Sequence, residues 1–310
     1  MPKHPIYLTY YHIVKMSHFS RKRINNEDVK PVKSVEEDKD KRPVAGASLF
    51  PEIYSNIFFC ARKKSGKTCA IAHIIDKCAT KETQIIAFVG TINRDKTWIA
   101  IEQMCNDKGI EFTGYTSMKD TETGEDILGS IVQVLKAEVE TKKKGIASGE
   151  DTEVSEPHPI DNLPTMGHDD GITARSKERK PRKPKFKAPK IIFVFDDLAG
   201  ELKKPSFTEL LKFHRHFFSK VIVSSQYWND IAVEARQQIN YVLLFKGLSE
   251  SISKLKEVYD NTNGMGVTFE MFVDIYRFCT AVQYNFMYLD VDNSLFRKNF
   301  TFLIDLPKEL

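Results

Sequence analysis

The chain has 310 residues, 41% of them hydrophobic and 28% charged, with a formal net charge of +4. That suits one sizeable core with appendages, and no apolar run approaches the ~20 residues that a membrane-spanning helix needs. The five cysteines (Cys60, Cys69, Cys78, Cys105, Cys279) are odd in number and form no CxxC pair, which argues against a disulfide framework or zinc site and for a reduced intracellular compartment.

In chain order, the opening MPKHPIYLTYYHIVK has a lysine but no sustained apolar stretch, so neither signal peptide nor anchor is expected. Residues 1–48 are polar and charge-rich after this aromatic start. They predict a partly disordered arm ahead of a domain spanning 49–310. From residue 56 short apolar runs alternate with helical periodicity. NIFFC (56–60) reads as a buried strand. A helix over 66–79 carries Ile71, Ile74, Ile75 and Cys78, and 84–89 is the next strand. A helix over 95–108 carries Trp98, Ile101, Met104 and Cys105, and 111–115 is a weak strand. A helix over 125–143 places Ile127, Ile131, Val134, Leu135 and Val139 on one face. Cys60, Cys69 and Cys78 read as small buried hydrophobes.

Residues 145–189 break the pattern and predict a disordered charged insertion. Seven acids and no Lys or Arg lie between Glu150 and Asp170. Nine bases against one acid follow between Arg175 and Lys190, with Pro181, Pro184 and Pro189 interleaved. This basic block, Arg179, Lys180, Arg182, Lys183, Lys185 and Lys187 at its centre, could hold duplex phosphates without reading sequence. It runs directly into the next strand, so tension on it could reach that strand's tip. A solvated loop or a nuclear-targeting patch remains the alternative.

The alternation then resumes. Strands are expected at 190–195, 220–224 and 241–245, and helices at 206–218, 230–238, 249–259 and 269–278. Two terminal strands follow at 281–289 and 296–304. Buried strands alternating with helices predict an α/β domain, a mostly parallel sheet with helices on both faces.

The sharpest local signal is Ala61-Arg62-Lys63-Lys64-Ser65-Gly66-Lys67-Thr68, between a strand and a helix. It matches GxxxxGK[ST] with Ala61 in place of the first glycine. Backbone N–H groups and the helix N-terminus surround phosphates, Lys67 neutralises the β/γ-phosphates, and the Thr68 hydroxyl can ligate Mg²⁺. A positive φ at Ala61 would cost energy. About 130 residues on, IIFVFDDL (191–198) ends an apolar strand in two carboxylates. There Asp196 would hold Mg²⁺ and Asp197 would orient or deprotonate the attacking water. Asp197-Leu198-Ala199-Gly200 also fits a GTPase DxxG pattern, but no NKxD-type motif follows, which favours ATP. Gln226, after the strand ending Ser224-Ser225, can sense a γ-phosphate. Arg215, within Lys212-Phe213-His214-Arg215-His216, could act in trans or be a surface cation.

Together these pieces resemble the FtsK/HerA superfamily of ring-shaped DNA pumps, and more closely the poxvirus-type packaging ATPases of giant viruses, virophages and polinton-like viruses. The lead-in LFPEIYSNIFFCARKKSGKT and the aromatic end QYNFMYLDVDN followed by FRKNF are similar to that family's. The resemblance spans roughly 49–306, with Asp197 where cellular relatives usually carry Glu. It implies a RecA-like (ASCE) fold, ATP and Mg²⁺ as cofactors, and a homo-oligomeric ring driving double-stranded DNA into a capsid. It also implies capsid vertex or portal-like partners, no membrane, and a place in the host cytoplasm, the viral factory or the virion. A cellular-type pump or helicase is the alternative. A P-loop nucleotide or small-molecule kinase is a more distant one, since neither lid nor acceptor site is found.

Overall fold

The computed structural model describes residues 41–147, 185–198, 200–247 and 252–306. The predicted arm, up to residue 40, and most of the predicted insertion, 148–184, lie outside the described residues. Residues 43–50 already belong to the body, so it begins earlier than residue 49. Ala45 N–H donates to Lys187 O, Lys187 N–H donates to Pro43 O, and Leu49 and Phe50 are buried.

Six strands form the parallel part of one sheet: β1 (Asn56–Cys60), β2 (Gln84–Val89), β3 (Glu111–Tyr115), β4 (Ile191–Asp196), β5 (Ser219–Ser225) and β6 (Tyr241–Phe245). Three antiparallel strands extend it: β7 (Phe286–Asp290), β8 (Leu295–Lys298) and β9 (Phe302–Leu303). The order is β3-β2-β4-β5-β1-β6-β7-β8-β9. β1 therefore lies inside the sheet, with β5 on one side and β6 on the other. One strand, β5, separates β1 from β4, the RecA-like arrangement.

Period-two alternation divides the core between two faces. Ile57 and Phe59 join Ile71, Ile74 and Ile75 of α1 (Lys67–Cys78) and Trp98, Ile101 and Cys105 of α2 (Lys96–Lys108). Phe58 and Cys60 join the opposite core, with α3 (Ile127–Ala147), α4 (Pro205–Phe213), α6 (Ile252–Asn261) and α7 (Phe269–Thr280). With both faces covered, every residue of β1, β2, β4, β5 and β6 is buried. Such strands read as near-continuous apolar runs.

The inner face of α3 is formed by Leu128, Ile131, Val132 and Leu135, at helical i, i+3, i+4, i+7 spacing. Val134, expected inward, is exposed. Cys69, expected to be buried, is exposed on α1, while the other four cysteines are buried. The helix expected to 218 stops at Phe213, because residues 214–218 form turns that return the chain to β5. Ser219 N–H and Ser219 Oγ both donate to His214 O there. The helix expected over 230–238 is a 3-10 turn at Trp228–Asp230 followed by α5 (Val233–Arg236). The strand expected from 281 starts only at Phe286. Asn285 N–H donates to Val282 O and Tyr284 has φ +69°, so residues 281–285 form a turn.

Two buried polar groups brace the N-terminal edge of the sheet. Asn56 Nδ2 donates to Leu211 O at 2.9 Å and Gln238 O at 2.8 Å, while Asn240 Oδ1 accepts from Asn56 N–H at 2.9 Å. Lys220 Nζ donates to Glu52 O at 3.0 Å and Ser55 Oγ at 2.7 Å, with Phe50's ring centroid 5.0 Å away. The lead-in to β1 is thus held from below the sheet. Burial pushes the Lys220 ammonium down to about 8.

His214 Nδ1 lies 2.8 Å from Leu211 O and 3.1 Å from Asn56 Nδ2. Burial, reinforced by Arg215, Lys220 and His216, pushes its imidazole from 6.5 down to about 4. Between those values the unfolded chain takes up a proton that the folded chain refuses, so stability falls as pH falls through the window. The slope from this group is at most about 1.4 kcal/mol per pH unit. Urea titrations of wild type and His214→Gln should show a shallower pH dependence in the variant. Equal slopes would remove His214 as the acid-sensitive group.

Candidate functional site

In a parallel sheet the C-terminal strand ends share one edge, and ligands of open α/β sheets bind along it. The predicted phosphate loop, the carboxylates ending β4 and Gln226 after β5 meet there. β1 ends at Cys60, and Ala61 N–H continues the ladder by donating to Ser225 O at 3.0 Å. Ala61 is fully buried and is not among the residues with positive φ, so the missing glycine imposes no strain. The left-handed positions of the loop are Lys64 (φ +62°) and Gly66 (φ +92°). The expected penalty at Ala61 is therefore absent, because the loop's turn is made three and five residues later.

Gly66 is the N-cap of α1 and has no side-chain cap, and no acid occupies the first turn. The first N–H groups of a helix lack intrahelical partners, which suits its N-terminus to a phosphate. Ser65 is buried and its hydroxyl oxygen has no partner among the described residues. An orphaned buried hydroxyl in a loop of this shape fits an anionic ligand. Lys63 and Lys64 are exposed, and Arg62 and Thr68 are half-buried.

Lys67 crosses β5 to the tip of β4. Its Nζ lies 2.8 Å from Asp196 Oδ1 and 3.5 Å from Asp197 Oδ1. The Lys67 and Asp196 side chains are only 11% and 5% exposed, whereas that of Asp197 is 38% exposed. Trp98 Nε1 donates to Asp196 Oδ2 at 3.2 Å, holding the carboxylate from the α2 side. Asp197 has φ +61°, an uncommon conformation even for Asp, and one that recurs at functional sites. The adjacent carboxylates thus differ: Asp196 is fixed and enclosed, and Asp197 faces solvent. Both carboxylates and the Thr68 hydroxyl are hard oxygen donors, the type that Mg²⁺ prefers.

Gln226 follows β5, between the phosphate loop and the β4 carboxylates, and is half-buried. Cys60 Sγ donates to its carbonyl at 3.5 Å, and burial pushes that thiol up to about 12, so Cys60 stays protonated. Arg215 is not brought to the site. It is exposed in the turn before β5, at the opposite edge of the sheet, roughly 20 Å of strand from Ser225. Of the six bases named in the insertion, Lys185 is exposed and Lys187 forms an isolated bridge with Val44, while Arg179, Lys180, Arg182 and Lys183 lie outside the described residues.

Sequence reasoning missed two supporting residues. Trp98 reads as one more apolar position on α2. Its only signal is the N–H that a buried Trp must satisfy. Asp230 accepts from Ser225 Oγ and from Tyr227 N–H, fixing the turn that carries Gln226.

Neither a family model nor a curated protein matches the sequence. Among solved structures the chain is similar to the genome packaging NTPase B204 from Sulfolobus turreted icosahedral virus 2 in complex with AMP. Identity is 14% over 79% of this chain and 96% of that one, with a TM-score of 0.47. The DNA-packaging ATPase B204 from Sulfolobus turreted icosahedral virus matches at 16% identity over 78% and 95%, with a TM-score of 0.45. ATPases 2 and 3 of EssC from Geobacillus thermodenitrificans match at 11% identity over 65% and 34%, with a TM-score of 0.36. These are distant likenesses, and what the site can do is read from its own geometry.

Removing one partner of a buried ion pair typically costs about 3–5 kcal/mol, because the other charge is stranded. Lys67→Met should therefore destabilise the ligand-free protein by roughly 3 kcal/mol, and adding Asp196→Asn should restore much of the loss. Denaturant titrations of the two singles and the double give the coupling. Additive losses would show that the pair does not interact.

Proposed function

We propose that this chain is an ATPase that couples hydrolysis to moving double-stranded DNA, packaging a viral genome into a capsid. One observation carries the enzymatic part. A lysine from the phosphate loop meets a buried carboxylate across an intervening strand, with a second carboxylate and a polar strand tip beside it. In this reading Lys67 exchanges Asp196 for the β/γ-phosphates. Thr68 and Asp196 would hold Mg²⁺, which would supply charge neutralisation at the phosphates. Asp197 orients the attacking water and Gln226 meets the γ-phosphate. The DNA-packaging part rests on the sequence resemblance, as do a homo-oligomeric ring, portal-like partners and a site of action in the host cytoplasm, viral factory or virion. No helix among the described residues is long and apolar enough to cross a membrane. Arg215 enters only if a neighbouring subunit presents its own N-terminal sheet edge here. The basic block, from Arg179 to Lys187, offers duplex phosphates a cationic partner.

Asp197→Asn should bind Mg·ATP and fail to hydrolyse it, whereas Asp196→Asn should weaken Mg·ATP binding itself. Filter binding and phosphate release measure both, and indistinguishable variants would refute the division of roles. Long duplex DNA should raise the wild-type rate. Replacing the basic block with Ser or Gln should abolish that rise and flatten the dependence of log K on log[salt]. A rate indifferent to DNA would sink the translocase reading while leaving the ATPase standing.

A further inference from the structure

The loop has two flanks, and the chemistry described above occupies only one. Lys67, Asp196, Asp197 and Gln226 all lie on the β5/β4 side of β1. A nucleoside triphosphate whose γ-phosphate points that way must send its sugar and base to the other side, where β6 and β7 run. That flank holds an unexplained aromatic residue. A Cβ added to Gly66 would lie 3.1 Å from Tyr284 Cδ1, so the ring of Tyr284 leans on the glycine where the phosphates would sit. Gly66 is thus required twice, for its φ of +92° and for this close approach.

Tyr284 is 63% exposed, so it is not there to fill a core. Its backbone has φ +69°, a conformation costly for a bulky residue and kept only when its surroundings impose it. Here they do. Lys246 Nζ donates to Ala281 O at 3.1 Å, and Asn285 N–H donates to Val282 O at 3.3 Å. Asn299 Nδ2 donates to Asn285 Oδ1 at 3.0 Å, and Asn299 Oδ1 accepts from Phe286 N–H at 3.0 Å. Both ends of the turn are therefore tied down, and an exposed aromatic ring is held against the phosphate loop. On the same flank Gly247 (φ +109°) packs on the stem of Arg62, drawing the end of β6 against the loop.

We infer that Tyr284 is the base-side wall of the nucleotide site, its ring stacking on the purine, with phosphates held by the loop and hydrolysis carried out on the opposite flank. This rests on the ATP reading of the loop. Stacking on one aromatic face recognises a flat π-surface rather than a hydrogen-bond pattern. The wall therefore selects nucleotides over bare polyphosphate without separating adenine from guanine.

The test compares affinities of the intact chain for ATP and for inorganic tripolyphosphate, which has the phosphates and no base. Tyr284→Ala should weaken ATP about ten-fold or more and leave tripolyphosphate within about two-fold, while Tyr284→Phe keeps wild-type ATP affinity. GTP should track ATP in all three proteins. Unchanged ATP affinity in Tyr284→Ala overturns the inference. So does an equal loss for tripolyphosphate, which would mean that Tyr284 only shapes the loop. A wild-type protein that binds neither ligand overturns the phosphate-loop reading and this inference with it, whereas tripolyphosphate binding with ATP indifferent to Tyr284 overturns this inference alone.

Discussion

The contact between Lys67 and Asp196, 2.8 Å long and largely enclosed, ties together the two halves of the site. β1 and β4 are not neighbours, and two strand spacings put them roughly 10 Å apart. Only a long side chain leaving the first turn of α1 closes that gap, and it does so over the tip of β5. Enclosing both charges costs several kcal/mol per ion, which the pairing and the Trp98 hydrogen bond offset. Such a pair adds little net stability. Its consequence is that neither charge can be left alone, so any ligand that draws Lys67 away must also bring a cation for Asp196. A polyphosphate with a divalent metal does both.

The rest of the fold serves to hold that edge in register. The N-terminal edge of the sheet is fastened by neutral or buried groups. Asn56 joins the ends of α4 and β6, Lys220 holds the lead-in, and His214 stays uncharged under Leu211 and Asn56. The C-terminal edge instead collects charge, left-handed backbone at Lys64, Gly66 and Asp197, and an unpartnered hydroxyl at Ser65. Local consistency at one edge supports strain at the other. Arg215 belongs to the fastened edge, and sequence proximity to β5 conceals this, since one strand can separate two residues by the width of the domain.

Much of the frame was legible because doubly covered parallel strands are apolar throughout. NIFFC, QIIAFV and YVLLF needed no partner to be recognised. The loop and the carboxylate pair were legible because their chemistry fixes residue types at short spacing. What was not legible depends on neighbours distant in sequence. On α3, Val132 and Val134 are equally apolar, and only the position of the sheet decides which faces in. The run 281–285 reads as strand until Asn299 and Lys246 bend it into the turn that carries Tyr284. Trp98 acquires its second role only when α2 lies against the tip of β4.

The entry to β4 shows how force on the insertion would be distributed. The sequence suggests a direct line, since the basic block runs straight into the Asp196 strand. The structure interrupts that line before it reaches the sheet. Lys187 exchanges backbone hydrogen bonds with Pro43 and Ala45, and Pro189 O accepts from Thr83 Oγ1 at 2.8 Å. Lys190 then bonds to Gln84 on one side and Phe218 on the other. A pull transmitted from the insertion therefore loads residues 43–45, β2 and the turn before β5 together with β4. Each of these bonds contributes about 1 kcal/mol net. Five residues of fully paired strand, Ile191–Phe195, still separate Lys190 from Asp196, and a ladder bonded on both sides does not slide by fractions of a register. The described end of the insertion, residues 185–190, is thus fastened at the sheet's N-terminal edge, away from Asp196. β2, β4 and β5, which share these bonds, form the same layer that sets the distance between Lys67 and its carboxylates.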